Sequence, residues 1–300
     1  MTRLAYSAAQ AFDPESRPRL RSVTVAHFLQ MEIPEREHVL TPIVPQQGLA
    51  MLYSKRGVGK TYTALGIAVA VATGSRFLRW SAAKARRVLY VDGEMPAATM
   101  RERLASIIAG QPPDAPDMPS PDFLRIITPD LQSEPLPDLS GEDGQAAIEA
   151  ELQGAELLIL DNLSTLCRGG KENEAESWLP VQVWALSLRR RGVSVLFVHH
   201  AGKGGAQRGT SRREDVLDTV IALKHSEEYS PTDGARFEIH YEKARGIHGE
   251  DARAFEARME TRDGTAIWTM GNVIEPEMRQ AADLCRQGIA TRYRRGTGDQ

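Results

Sequence analysis

The chain has 300 residues, 41% hydrophobic and 26% charged, with a net charge of −3. That composition belongs to a globular protein with enough chain for a sizeable core, and it excludes a globally basic coat, so any nucleic-acid contact has to come from a local basic surface. Cys167 and Cys285 form neither a metal motif nor a disulfide framework, no stretch reaches the ~18 apolar residues of a membrane span, and residues 1–21 lack the apolar core of a secretory signal, so a cytoplasmic location without membrane contact is expected.

In chain order, residues 1–22 are polar and rich in Pro and Arg, and read as a flexible leader. Within 23–47, VAHFLQME reads as a short helix followed by an irregular lead-in. Leu49-Ala-Met-Leu-Tyr53 is a short apolar strand, and Thr61–Thr73 a mostly apolar helix stopped by Gly74. Arg87–Asp92 reads as a buried strand, 97–109 as a helix, and 111–121, with five prolines, as a loop. A strand over Leu124–Thr128 is followed by an acidic loop to 145, a helix over 145–153 and the buried strand Leu157–Asp161. Ser177–Arg191 is a helix with an arginine-rich end, and Val193–His199 a fourth buried strand. Val216–Lys224, Arg236–Lys243, Ala252–Met259 and Thr265–Met270 read as further strands, the later ones alternating apolar and polar residues. The expected fold is α/β: a mostly parallel central sheet flanked by helices, with antiparallel strands added at one edge.

The most specific feature is SKRGVGKT, residues 54–61, set between a strand and a helix. Backbone N–H groups of such a loop, with the helix N-terminus behind them, cradle phosphates. Ser54, Lys55, Arg56, Gly57, Val58, Gly59, Lys60, Thr61 and Tyr62 are therefore expected to bind ATP. Lys60 reaches the β- and γ-phosphates and the Thr61 hydroxyl holds Mg²⁺. Ser54 departs from the glycine usual at that position.

A P-loop needs a carboxylate on a neighbouring strand for the Mg²⁺ shell, and Asp161, ending LLILD, suits it. RVLYVDGEMP sets Asp92 and Glu94 just past another strand; Glu94 is the expected catalytic base, with a turn residue before Gly93 as the alternative role for Asp92. His199 and His200 end the fourth strand. Adjacent strand residues point to opposite faces, so one histidine faces the nucleotide, and His200 is favoured as γ-phosphate sensor over a structural pair.

Taken in order, GVGKT, VDGE, LLILDN and FVHHAGKGG…RGTSRRED resemble the RecA/DnaB-like ATPases over about residues 30–270, closest to the plasmid-encoded hexameric RepA replicative helicases. The resemblance implies a RecA-like ATPase domain over 23–273, Glu94 as base, Asp161 as the Walker B aspartate and a ring, with six subunits expected, whose ATP lies between neighbours. It also implies that Lys243 and Arg245, in Glu-Lys-Ala-Arg, act on a neighbour's ATP as a cationic finger, a surface charge pair being the plain alternative. After RGTS, where such a helicase carries a finger arginine, this chain has Asp215, Leu217 and Asp218. CRGGKENEAES looks like the family's first mobile loop, and the basic segment 201–215 is expected near a central channel. There Lys203, Arg208, Arg212 and Arg213 would grip single-stranded DNA without an aromatic for stacking. Residues 274–300 read as a basic helix and tail. The expected function is a plasmid or mobile-element DNA helicase using ATP and Mg²⁺ alongside replication proteins. A regulatory or loader ATPase without unwinding is the second reading, and a small-molecule kinase the last.

Overall fold

The computed structural model describes residues 21–169, 175–202, 215–226 and 228–273. The expected loop residues Lys203, Arg208, Arg212 and Arg213, the tail 274–300 and nearly all of the leader lie outside them. The first elements are an exposed helix α1 (Val25–Leu29) and a hairpin of β1 (His38–Leu40) and β2 (Val44–Pro45). The hairpin replaces the irregular lead-in expected there. Strands of two or three residues are too short to show a period, and burial of Val39, Leu40, Ile43 and Val44 fixes them.

β3 (Leu49–Ser54) is buried at every residue and feeds α2 (Lys60–Thr73). All residues of α2 from Thr63 onward are buried, the mark of a helix enclosed on several sides. Gly74 ends it at φ +69°, its N–H bonding the Ala70 carbonyl. β4 (Arg76–Phe77) and β5 (Trp80–Ser81) form a two-residue ribbon that carries Phe77 onto α2 at Gly66, where a Cβ would lie 2.3 Å from the ring. β6 (Val88–Asp92), α3 (Ala97–Ala109) and β7 (Leu124–Ile127) fall within a residue of expectation.

α4 (Glu142–Glu151) starts three residues before the expected 145, with Glu142 and Asp143 in its first turn, where negative charge suits the helix dipole. β8 (Leu157–Asp161) is followed by α5 (Leu163–Leu166), one turn capped by the Asn162 side chain and too short to be periodic. Then come α6 (Ala175–Arg190) and β9 (Ser194–His200). β10 (Thr219–Lys224), β11 (Ala235–Ala244), β12 (Phe255–Arg262) and β13 (Thr265–Asn272) complete the order. β10 and β12 start three residues later than read from sequence, because Asp218 is held by side-chain bonds and 249–252 form a 3₁₀ turn.

One sheet joins these strands in the order β13-β12-β11-β10-β3-β9-β8-β6-β7. β10, β3, β9, β8, β6 and β7 run parallel, and β11, β12 and β13 add antiparallel at one edge. The P-loop strand β3 therefore sits mid-sheet, and the carboxyl ends of β3, β6, β8 and β9 open on one edge, where open α/β sheets bind ligands. Strand alternation sorts the two faces. Leu52, Tyr90, Ile159 and Val198 pack in the core with α2, while Tyr53, Val91, Leu160 and Phe197 pack in the core with Trp178 and Trp184 of α6.

Asp218 anchors β10 to the start of β3. Its carboxylate accepts the Leu49 N–H at 3.0 Å and pairs with the Arg36 guanidinium at 3.2 Å. Burial alone would raise its pKa, but these bonds outweigh burial and hold the carboxyl below its ordinary value. A depressed carboxylate contributes stability above its unfolded pKa of ~4, and that contribution is lost as pH falls through the folded value. Asp218→Asn should therefore be less stable than wild type at pH 7, with the gap closing below pH ~4, as read by denaturant melts across pH. A gap constant with pH would contradict this role.

Candidate active site

The P-loop leaves β3 and turns into α2 through Gly57 and Gly59, at φ +81° and +127°. A Cβ on Gly59 would sit 2.6 Å from the Phe237 ring, so glycine is required there by both conformation and space. Lys60 is buried and donates to the carbonyls of Ser54 at 3.2 Å and Lys55 at 3.0 Å. The departure from glycine at Ser54 has a local account: its hydroxyl accepts a further Lys60 bond at 3.2 Å and donates to the Lys55 carbonyl. Burial lowers the Lys60 pKa to about 8, although Asp161 and Glu94 pull it the other way. A desolvated ammonium with neutral acceptors is poised to take a phosphate.

Asp161, at the end of β8, is buried and accepts the Tyr90 hydroxyl at 2.7 Å. Burial and the charge of Asp92 push its pKa up to about 6, against hydrogen bonds from Tyr90 and Thr61 and the charge of Lys60. The Asp161–Asn162 peptide is cis. One β6–β8 link runs from the Gly93 N–H to the Asp161 carbonyl at 2.7 Å. Gly93 itself has no room for a side chain, because a Cβ would lie 2.2 Å from the Thr165 hydroxyl.

Asp92 is the turn residue of its loop. It is buried, and its Oδ1 accepts the N–H groups of Glu94 at 2.8 Å and Met95 at 2.5 Å. That leaves Glu94 exposed at the mouth of the cleft, where its carboxylate can meet a water. His200 borders the same cleft, level with Ser54 in the register of β9 and β3. Alternation puts His199 on the opposite face with Phe197.

The cleft has a volume of about 710 Å³. It gathers Arg56, Gly57, Gly59, Lys60, Thr61, Tyr62, Glu94, Asp161 and His200, of the residues singled out from sequence. It also holds Arg103, which sequence reasoning missed, with its guanidinium 4.7 Å from the centre of the Tyr62 ring. Its one sequence signal is an arginine on the helix that follows the Glu94 loop. A larger groove of about 920 Å³, between α3 and the proline-rich 112–122 stretch, shares no lining residue with the cleft. Among the described residues no cluster of three or more His, Cys, Asp or Glu forms a metal cage. Thr61 and Asp161 offer the hard oxygen pair that Mg²⁺ takes when phosphates supply other positions.

Lys243 and Arg245 are not brought to this cleft. Both donate to the Asp215 carbonyl, at 3.4 and 3.0 Å. Ala244, between them, pairs with Thr219, which is level with Ala50 at the start of β3. About 13 Å of strand, four residues at ~3.3 Å each, separates that level from Ser54.

A nucleotide-binding loop at the centre of a parallel sheet, followed by acidic strand ends, defines a P-loop ATPase of RecA-like fold. The sequence profile of the AAA domain family matches residues 14–206, which hold the loop, Glu94, Asp161 and both histidines, and the chain belongs to that family. Among solved structures it is similar to a KaiC-like protein from the hyperthermophilic archaeon Pyrococcus horikoshii. The TM-score is 0.51 at 16% identity, covering 75% of this chain and 91% of that one. That likeness supports the RecA-like fold. No helix among the described residues is long and apolar enough to cross a membrane.

Proposed function

We propose that the protein is an ATP-hydrolysing motor that works as a ring on single-stranded DNA, as a plasmid or mobile-element replicative helicase of the cytoplasm. The observation that carries this reading is the division of the site. The phosphate loop, Glu94 and Asp161 meet at one edge of the sheet, while the Lys243/Arg245 pair lies at the other. A cation pair that cannot serve its own cleft suits a head-to-tail ring in which each copy completes its neighbour's site.

In this reading Lys60 and the loop N–H groups bind the phosphates, and His200 contacts the γ-phosphate. Glu94 takes the proton of the attacking water. Bound Mg²⁺, held through Thr61 and Asp161, would neutralise charge developing on the phosphates. The basic segment with Lys203, Arg208, Arg212 and Arg213 supplies the DNA contact.

ATP turnover with and without single-stranded DNA, beside a native mass measurement, tests the proposal. The expected result is an oligomer, a hexamer by the resemblance, whose turnover rises several-fold with DNA. A monomer indifferent to DNA would sink the motor reading while leaving the ATPase intact. A forked substrate separates the alternative: turnover without unwinding points to a DNA-associated loader or regulatory ATPase.

A further inference from the structure

Tyr90 is fully buried on β6, two residues before Asp92, within the core that packs against α2. Tyr90 pairs with Ile159 and Asp92 with Asp161 across β6 and β8, so Tyr90 and Asp161 are diagonal neighbours on one face. Such neighbours lie about 7–8 Å apart at the backbone, within the reach of an aromatic side chain. Here the phenol spans that gap and donates to Asp161 Oδ2 at 2.7 Å, with both groups out of water.

Tyr90 belongs to a hydrophobic core cluster, and its buried hydroxyl finds its partner in the carboxylate it meets. Thr61, in the first turn of α2, lines the same cleft as Asp161. The donor that holds the Asp161 carboxylate is the Tyr90 hydroxyl, from the strand beside it. A free carboxylate at a strand end would rotate about its last bond. Partners beyond the ligand shell restrain that rotation at metal sites.

We infer that Tyr90 is a positioning residue that fixes the Asp161 carboxylate in the orientation Mg²⁺ requires. The inference rests on the reading of Thr61 and Asp161 as the Mg²⁺ partners. It makes β6 a supporting strand for two carboxylates, Asp161 through the Tyr90 hydroxyl and Glu94 through the turn built on Asp92.

The test is equilibrium binding of a fluorescent ATP analogue at fixed concentration while Mg²⁺ is raised from none, in wild type and Tyr90→Phe. The expected result is a roughly tenfold or larger rise in the Mg²⁺ concentration that half-saturates the metal-dependent signal. Affinity for the analogue in EDTA should stay unchanged, and Tyr90→Phe should add nothing in an Asp161→Asn background. Should the phenylalanine variant fail to fold, Tyr90→Met fills the same socket without a donor and is read in the same way. An unchanged Mg²⁺ midpoint, or an equal loss of affinity in EDTA, overturns the role of Tyr90 alone. A wild type whose binding ignores Mg²⁺ overturns the reading of Thr61 and Asp161, and the inference with it.

Discussion

Glu94→Gln should lower ATP turnover by about 10²–10⁴-fold, the usual contribution of a positioned general base, while ATP binding is retained. The amide keeps the shape of the side chain and cannot take a proton. The loop that carries it is held from behind, by Asp92 bonds to the N–H groups of residues 94 and 95 and by the Gly93 link to Asp161, none of which involves the Glu94 side chain. The loss should therefore fall on kcat, with the melting temperature unmoved. Turnover within a few-fold of wild type would remove Glu94 from the chemistry. Asp92 is a poor substitute candidate, because it is buried and its Oδ1 is committed to the backbone.

The second large effect is expected far from the cleft. Lys243→Ala combined with Arg245→Ala should cost about 10³-fold or more in turnover, the scale of a cationic finger lost from phosphoryl transfer. Both side chains donate to the Asp215 carbonyl at the surface, so a melting curve beside the turnover assay separates a lost finger from a lost fold. A large loss of turnover without loss of nucleotide binding has no explanation within a single chain, since the pair lies at the opposite edge of the sheet from the P-loop. Nearly unchanged turnover would leave the pair as surface charges.

The parts of this architecture that were legible in sequence are those written in local pattern. Continuous apolar runs marked the buried strands, and an acidic or histidine end on such a run marked the edge where ligands bind; Asp161 and His200 both follow from that rule. The glycines and lysine of the P-loop are equally local. Illegible were the features that depend on which strands become neighbours. Tyr90 and Asp161 lie 71 residues apart and meet because β6 pairs with β8. Arg103 reads as one more charge on an amphipathic helix until α3 sets it against Tyr62. Asp92 was open between two roles, and only the backbone bonds it accepts decide for the turn. The β4–β5 ribbon escaped because two-residue strands carry no period, although Trp80, which it supplies, is fully buried with its indole N–H on the Tyr241 hydroxyl.

In the proposed ring the boundary between copies is the deciding place. The most direct measurement mixes two inactive proteins, Glu94→Gln and the Lys243→Ala/Arg245→Ala double variant, and reads ATP turnover of the mixture. In a head-to-tail ring, interfaces that join the intact Glu94 of the double variant to the intact Lys243 and Arg245 of its neighbour are complete. Random assembly at equal amounts makes these about one quarter of all interfaces, so turnover should recover toward that fraction of wild type. Mixed oligomers, verified by native mass, that stay as inactive as either parent would contradict a site shared between copies.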